Sequence, residues 1–212
     1  MTIRISAHQI AEGIRLSPSG LTMLFKATAA VDLVDYQPRH GVSLTTTGRR
    51  TALLLLRRHR LVETFLHRIL RLDWAEVHDE AQLFDAAVSE RVLEQMDSVL
   101  GNPELDPHGD PIPNRNGRMP GWRDCCARVN GAGPLTAMSC DQLLRVEHVV
   151  GNDAALLRYL GQAGVRPGAI ISVQTIDQAA ETMNCAIVDR TDMTLGLTAA
   201  RWVHVKPVGD RS

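Results

Sequence analysis

The stretch LTTTGRRTALLLLRRHRLVETFL (44–66) decides how this chain is read. Behind Gly48, residues 49–72 are apolar enough to be buried on more than one side, and the spacing predicts one long helix there. A second helix is predicted from about His78 to Leu100, ended by Gly101, with Ala81, Phe84, Val88, Val92, Met96 and Val99 on its apolar face. Two such helices suit a dimer interface, and they equally suit the completion of a monomeric core.

Upstream of this stretch the pattern changes. Ser6 can cap a helix over residues 7–14, where Ile10 and Ile14 stand one turn apart. Ser17-Pro18, a cap residue followed by proline at the first helical position, opens another helix carrying Leu21, Leu24, Phe25 and Ala29 at helical spacing. LVDY (33–36), the turn QPRHG (37–41) and VSLT (42–45) read as two short strands. This order predicts a winged helix-turn-helix over residues 1–48, whose second helix enters the DNA major groove. A small helical domain with a hairpin and no DNA satisfies the same pattern.

Downstream, residues 101–140 hold six of the ten prolines and six of the sixteen glycines, the composition of a linker. LLRVEHVV (143–150), AIISVQTI (169–176), NCAIVD (184–189) and RWVHVKPV (201–208) read as strands, with a short helix over 153–164. Strands of that length and number predict a small β-barrel over 141–212. The domain reading is therefore 1–48, 49–100, a linker at 101–140, and 141–212.

The chain has 212 residues, 44% hydrophobic and 22% charged, which excludes wholesale disorder. No apolar run approaches the roughly 20 residues of a membrane span, and the N-terminus lacks the apolar core of a secretion signal. Four cysteines, two of them adjacent (Cys125, Cys126), make no disulfide framework. A soluble, reduced, cytoplasmic protein with no membrane partner is the expectation. The net charge of −1 conceals an asymmetry. Residues 1–72 carry eleven basic side chains against four acidic ones, and residues 73–106 carry Arg91 alone against ten acidic ones. That suits a polyanion at one end and a cation at the other, or simply two solvated helix faces.

His59 and Glu63 stand at i, i+4 and project from one helix face. His78 begins the next helix, which can return antiparallel and bring that imidazole to the same place. Two imidazoles and a carboxylate can hold Zn²⁺, Mn²⁺, Fe²⁺ or Co²⁺. An ion pair of His59 with Glu63, and a capping role for His78, account for the same residues. Gln82, Asp85 and Ala86 follow His78 on its face and offer one amide, one carboxylate and one methyl. That is a poor metal site, with Asp85 at most a weak ligand. Cys125, Cys126, Cys140 and His148 read more readily as inert thiols and a core imidazole than as a metal or redox site.

The order of these motifs resembles the diphtheria-toxin-repressor family of iron- and manganese-dependent regulators, of the manganese-transport-regulator type. The residues that carry it are L-T-x-x-G-R at the end of the wing, R-R-H-R-L-x-E, then EVHDEAQLFDAAVSERV (76–92) and DPHGDPIP (106–113). LLRYLGQAGVRPGAIISV (156–173) is similar to the family's SH3-like barrel and to ferrous-iron transport accessory proteins. The resemblance implies a homodimer on a double-stranded DNA operator, repressing metal-uptake or homeostasis genes with Mn²⁺ or Fe²⁺ as cofactor. It places the family's ancillary metal site on His59, Glu63 and His78. It places DNA contacts on Ser17, Ser19, Thr22 and Met23, with Lys26 and Arg39 toward the backbone. The primary, activating site is degenerate: where the family has Cys or Glu followed by Glu-His, this chain has Gln82 and then Asp85-Ala86. Ligands from the family's N-terminal helix have no counterpart, because the sequence starts at the second family helix. Asp32 replaces the glycine expected before the wing.

The expectation is thus a mainly α protein with a small β part: a winged helix-turn-helix, a two-helix dimerisation region and a C-terminal SH3-like β-barrel. It would act as a metal-responsive repressor and not as an enzyme. About one metal per subunit is expected, with a fourth ligand drawn from the barrel and affinity falling below about pH 6.5 as His59 and His78 protonate. One rival keeps the fold and takes a non-metal effector. Another is a metal-dependent hydrolase at His59, Glu63 and His78, which lacks a recognisable general base.

Overall fold

Residues 4–6, 9–10, 16–119, 132–188 and 192–209 are described by the computed structural model. They form two compact units, Met1–Arg57 with Pro113–Arg118, and Arg58–Ile112 with Met119–Ser212. The helix expected over 7–14 lies outside the described residues except for Gln9 and Ile10, which are helical. Ser6 takes the expected cap role, its Oγ accepting from the Gln9 N–H.

In the first unit, helix α1 (Pro18–Ala30) starts where the Ser-Pro signal puts it, with Ser17 Oγ accepting from the Gly20 N–H. Leu21 and Phe25 face inward and pack on Val42, and the Phe25 ring lies 5.2 Å from that of Tyr36. Strands β1 (Val34–Gln37) and β2 (Gly41–Leu44) pair antiparallel, Val34 opposite Leu44 and Gln37 opposite Gly41. Two non-glycine residues hold the left-handed conformation around this hairpin: Asp32 (φ 56°) before it and Arg39 (φ 67°) at its tip. Asp32 is held there on both sides, its carbonyl accepting from Thr45 Oγ1 and its carboxylate from Thr47 Oγ1.

Helix α2 (Thr46–Arg68) follows, capped by Thr45, whose Oγ1 accepts from the Gly48 N–H. Gly48 is there for space: a Cβ would stand 1.7 Å from the Leu33 carbonyl oxygen. Farther along the chain, Gly117, in a tight turn closed by Asn114, rests on Arg50 of α2.

In the second unit, Leu61, Val62 and Leu66 of α2 pack on Val77 and Ala81 of α3 (Val77–Asp85) and Leu93 of α4 (Glu90–Val99). The single helix expected from His78 to Leu100 is therefore two. Ser89 takes the cap of α4, accepting from the Val92 N–H, and the Arg58 guanidinium binds the carbonyls of Asp85 and Val88 and the Glu90 carboxylate. A capping hydroxyl and an arginine fork replace the helix-continuing bonds at that point. Gly101 (φ 75°) does end α4 as expected. Within the Pro/Gly-rich stretch, residues 104–113 make a buried turn, bridged between Leu105 and Pro111 and anchored by Ile112.

The remaining strands form one antiparallel sheet in the order β3 (Gly133–Pro134), β8 (Val203–Pro207), β4 (Leu143–Val149), β5 (Ile170–Asp177), β6 (Thr182–Ile187), β7 (Met193–Gly196). Helix α5 (Ala154–Gln162), capped by Asp153, buries Leu157 and Leu160 against it, and α6 (Leu197–Ala200) is a single turn. The closed barrel expected here is absent among the described residues. The edges β3 and β7 do not pair with each other. β3 is only two residues long and ends in a proline with no N–H to donate, so it cannot extend the ladder. Trp74, in the loop before α3, is 1% exposed and belongs to this sheet's core, so it ties the α2–α3 connection to the β part.

Candidate metal centre

Helices α2 and α3 turn the predicted trio toward one point. His59 Nε2, Glu63 Oε1 and His78 Nδ1 form a triangle with each side 2.9 Å. Glu63 is 3% exposed, and the two imidazole side chains are 16% and 18% exposed. The helical period aligns the first two, and the packing of α3 on α2 brings the third. Donors at that spacing are arranged as cis ligands around an ion with bonds of about 2.1 Å, and two imidazoles with one carboxylate are a donor set for borderline divalent metals. The residues fit the group.

A second group shares Glu63. Asp106 and His108, both buried in the 104–113 turn, bring ligand atoms within 4.8 Å of one another and of Glu63. Asp106 Oδ1 accepts from the N–H groups of His108 and Asp110, which shapes the turn. His108 Nε2 donates to the Trp74 carbonyl at 2.8 Å, so its Nδ1 is the nitrogen with a lone pair to offer. Arg60 closes the turn from above, donating to the Pro111 carbonyl and lying 3.4 Å from Asp106.

The charges of this centre are set against one another. Burial alone would lower the His59 imidazole, but hydrogen bonds and charge from Glu63, then from Asp85, raise it to about 9. Burial would raise Glu63, and the two histidines instead hold it down at about 2. Burial, with Asp110 and Glu63 close by, pushes Asp106 up to about 7. A cluster that holds a proton on one imidazole and resists ionising a carboxylate is short of positive charge.

Of the other predicted ligands, Asp85 reaches His59 but not the triangle: its Oδ2 is 2.8 Å from His59 Nδ1, on the far side of the ring. Gln82 Nε2 is 2.8 Å from His78 Nε2, and the Asn152 amide, from the loop before α5, meets the same nitrogen. Asn152 meets His78 on the nitrogen that faces away from the triangle, so it does not supply the fourth ligand expected from the β part. Sequence reasoning missed Asp106 and His108 as candidate ligands. Their Asp-x-His spacing was the available signal, within a segment whose composition reads as linker. Cys125 and Cys126 lie outside the described residues. Cys140 is exposed and Cys185 buried, both free, and burial pushes the Cys185 thiol up to about 11.

In the first unit, Ser19, Met23 and Lys26 share one exposed face of α1, with Met23 72% exposed. Ser17 serves as the cap and lies 3.1 Å from the Ser19 hydroxyl, and Thr22 Oγ1 donates back to the Pro18 carbonyl. Arg39 is exposed at the hairpin tip. Among the described residues, no helix is long and apolar enough to cross a membrane.

Residues 45–114 match the iron dependent repressor, metal binding and dimerisation domain, and residues 133–207 match the FeoA domain. The iron-dependent repressor IdeR of Mycobacterium tuberculosis is 36% identical over 177 residues, covering 80% of this chain and 74% of that protein. The diphtheria toxin repressor of Corynebacterium diphtheriae is 28% identical over 147 residues, covering 66% and 65%. A manganese-dependent transcriptional repressor solved in complex with manganese superposes with a TM-score of 0.84 at 35% identity, covering 96% of this chain and 91% of that one. ScaR with bound Cd²⁺ gives 0.76 at 25% identity, covering 97% and 92%.

Proposed function

The chain belongs to the family of iron-dependent repressors that includes the diphtheria toxin repressor, and from that footing we propose that it is a divalent-metal-responsive repressor of metal-homeostasis genes. The observation that carries the metal reading is the triangle of His59, Glu63 and His78, with Asp106 and His108 beside it. Mn²⁺ or Fe²⁺ is the cofactor that the relatives favour, and the donor set can hold either. When bound, the ion supplies fixed positive charge at the meeting point of α2, α3 and the 104–113 turn. Glu63 accepts from both imidazoles without it, and His108 and Arg60 hold the turn in place. The relatives are repressors, and the hydrolase reading is set aside.

The partner is an operator in duplex DNA, read in the cytoplasm by a homodimer. Helix α1 is the reading helix and β1–β2 the wing. Ser19, Met23 and Lys26 form its outward face, with Ser17, Thr22 and Arg39 toward the backbone. Met23 offers only apolar contact, such as a thymine methyl. Phe84, Val92 and Val99 are 41%, 46% and 63% exposed, an apolar surface that a partner subunit would cover.

The non-metal effector keeps one observation in its favour. A cleft of about 600 Å³ is lined by Leu156, Tyr159 and Trp202, and its wall residue Asn152 also touches His78. Mn²⁺ titration of His59→Ala beside Gln82→Ala separates the readings. The first variant should lose the ion outright, and the second should still bind it, more weakly than the parent. A parent that binds no metal hands the lead to the non-metal effector.

A further inference from the structure

The triangle uses one nitrogen from each imidazole, which leaves His59 Nδ1 and His78 Nε2 facing outward. Both outward nitrogens are met from α3. Asp85 lies 2.8 Å from His59 Nδ1, and Gln82 lies 2.8 Å from His78 Nε2. These two residues stand four and seven positions beyond His78, on one helix face. The His59 ring stands between Asp85 and the triangle, and the group that fits one ion is His59, Glu63 and His78 without Asp85.

We propose that Asp85 is the positioning residue of the metal centre: it accepts the Nδ1–H of His59 and so fixes Nε2 as the ring's ligand atom. Gln82 does the same for His78, turning its amide oxygen to the Nε2–H once Nδ1 serves as ligand. The inference rests on the metal reading above and deepens it. Two positions that look like remnants of a second ligand set work instead as outer support for the first. A carboxylate behind a ligating imidazole fixes its tautomer, its orientation and its basicity, and losing such a partner costs about 10- to 100-fold in metal affinity.

The test uses Asp85→Asn, nearly isosteric and still able to accept, and Asp85→Leu, which cannot. Co²⁺ affinity is measured by visible absorption, and the Zn²⁺-loaded protein is examined by nitrogen-15 NMR of the imidazoles. The parent should show a protonated, hydrogen-bonded Nδ1 on His59. Affinity should fall modestly in the Asn variant and by about 10- to 100-fold in the Leu variant, with the Nδ1–H signal losing its hydrogen-bonded shift. Unchanged Co²⁺ affinity in both variants overturns the inference. So does a metal-bound Nδ1 on His59, or loss of the ion from Asp85→Asn with the Nδ1–H signal intact, which would make Asp85 a direct ligand. A parent that takes up neither Co²⁺ nor Zn²⁺ overturns the metal reading itself, and the inference with it.

Discussion

His59 and His78 meet edge to face, ring centroids 4.7 Å apart, with Nε2 of one 2.9 Å from Nδ1 of the other. Two lone pairs cannot face each other at that distance, so something positive must lie between them. Without metal each of these nitrogens carries an N–H aimed at Glu63, and Glu63 with Asp85 helps His59 to keep its second proton. With metal these nitrogens give up their protons.

Glu63 joins both ligand groups, so its loss should cost more than the loss of any other donor. Glu63→Gln is expected to abolish measurable Mn²⁺ binding, while Asp106→Asn weakens it and leaves the His59–Glu63–His78 group in place. Isothermal titration of the two variants checks this. Equal losses, or a larger loss from Asp106→Asn, would move the centre of the site to the 104–113 turn.

The pH dependence runs opposite ways for stability and for metal uptake. His59 holds its proton up to about 9 when folded and to about 6.5 when unfolded, so its stabilising contribution is complete below 6.5 and lost as pH rises toward 9. Asp106, raised to about 7 from 3.8, loses its contribution over that lower interval as pH rises. Glu63, lowered to about 2 from 4.5, contributes above 4.5 and loses this as pH falls toward 2. Denaturant unfolding in chelator should therefore show the metal-free chain less stable at pH 9 than at pH 6.5. Apparent metal affinity should climb through the same range, not level off near pH 6.5 as the unperturbed histidine value suggests. Flat stability between pH 6.5 and 9 would contradict the assignment.

Gly109 controls the second ligand group from the backbone. Its φ is 87°, and a Cβ there would lie 2.1 Å from the Glu147 carbonyl oxygen. Gly109→Ala is expected to displace the turn that carries Asp106 and His108, at a cost of about 1–3 kcal/mol or more. Thermal unfolding and Mn²⁺ titration should register both effects together. A variant with parental stability would mean the turn is freer than this packing allows.

How much of this was legible in the sequence depended on where each contact is encoded. The trio at 59, 63 and 78 is written in helical periodicity, and the Ser17-Pro18 start of α1 in local capping chemistry. The interruption of the second helix at 86–89 is not, because it needs Arg58 of α2 to take carbonyls from Asp85 and Val88. Asp106 and His108 escaped as ligands for a similar reason: proline and glycine mark a loop, and only tertiary packing through Ile112 and Arg60 buries it. Strands as short as Gly133–Pro134 and Met193–Gly196 leave too little alternation to detect, so the open edges of the sheet could not be read.

The outer face of α3 and α4 bears on the oligomer. Val92 is 46% exposed, while Leu93 beside it is buried in the core of the second unit. Val92→Asp should therefore leave the subunit folded and push the dimer toward monomer. Sedimentation with circular dichroism reads both. A dimer unaffected by the charge would place the interface elsewhere.

If metal at Glu63 governs DNA binding, one measurement shows it directly. A pool of duplex fragments spanning metal-uptake promoters is bound by the parent and by Glu63→Gln, with Mn²⁺ and with chelator. The parent should retain a discrete set of fragments in Mn²⁺ and release them in chelator, and Glu63→Gln should retain none in either. Retention of the same fragments by the parent in chelator, or by Glu63→Gln in either condition, would contradict it.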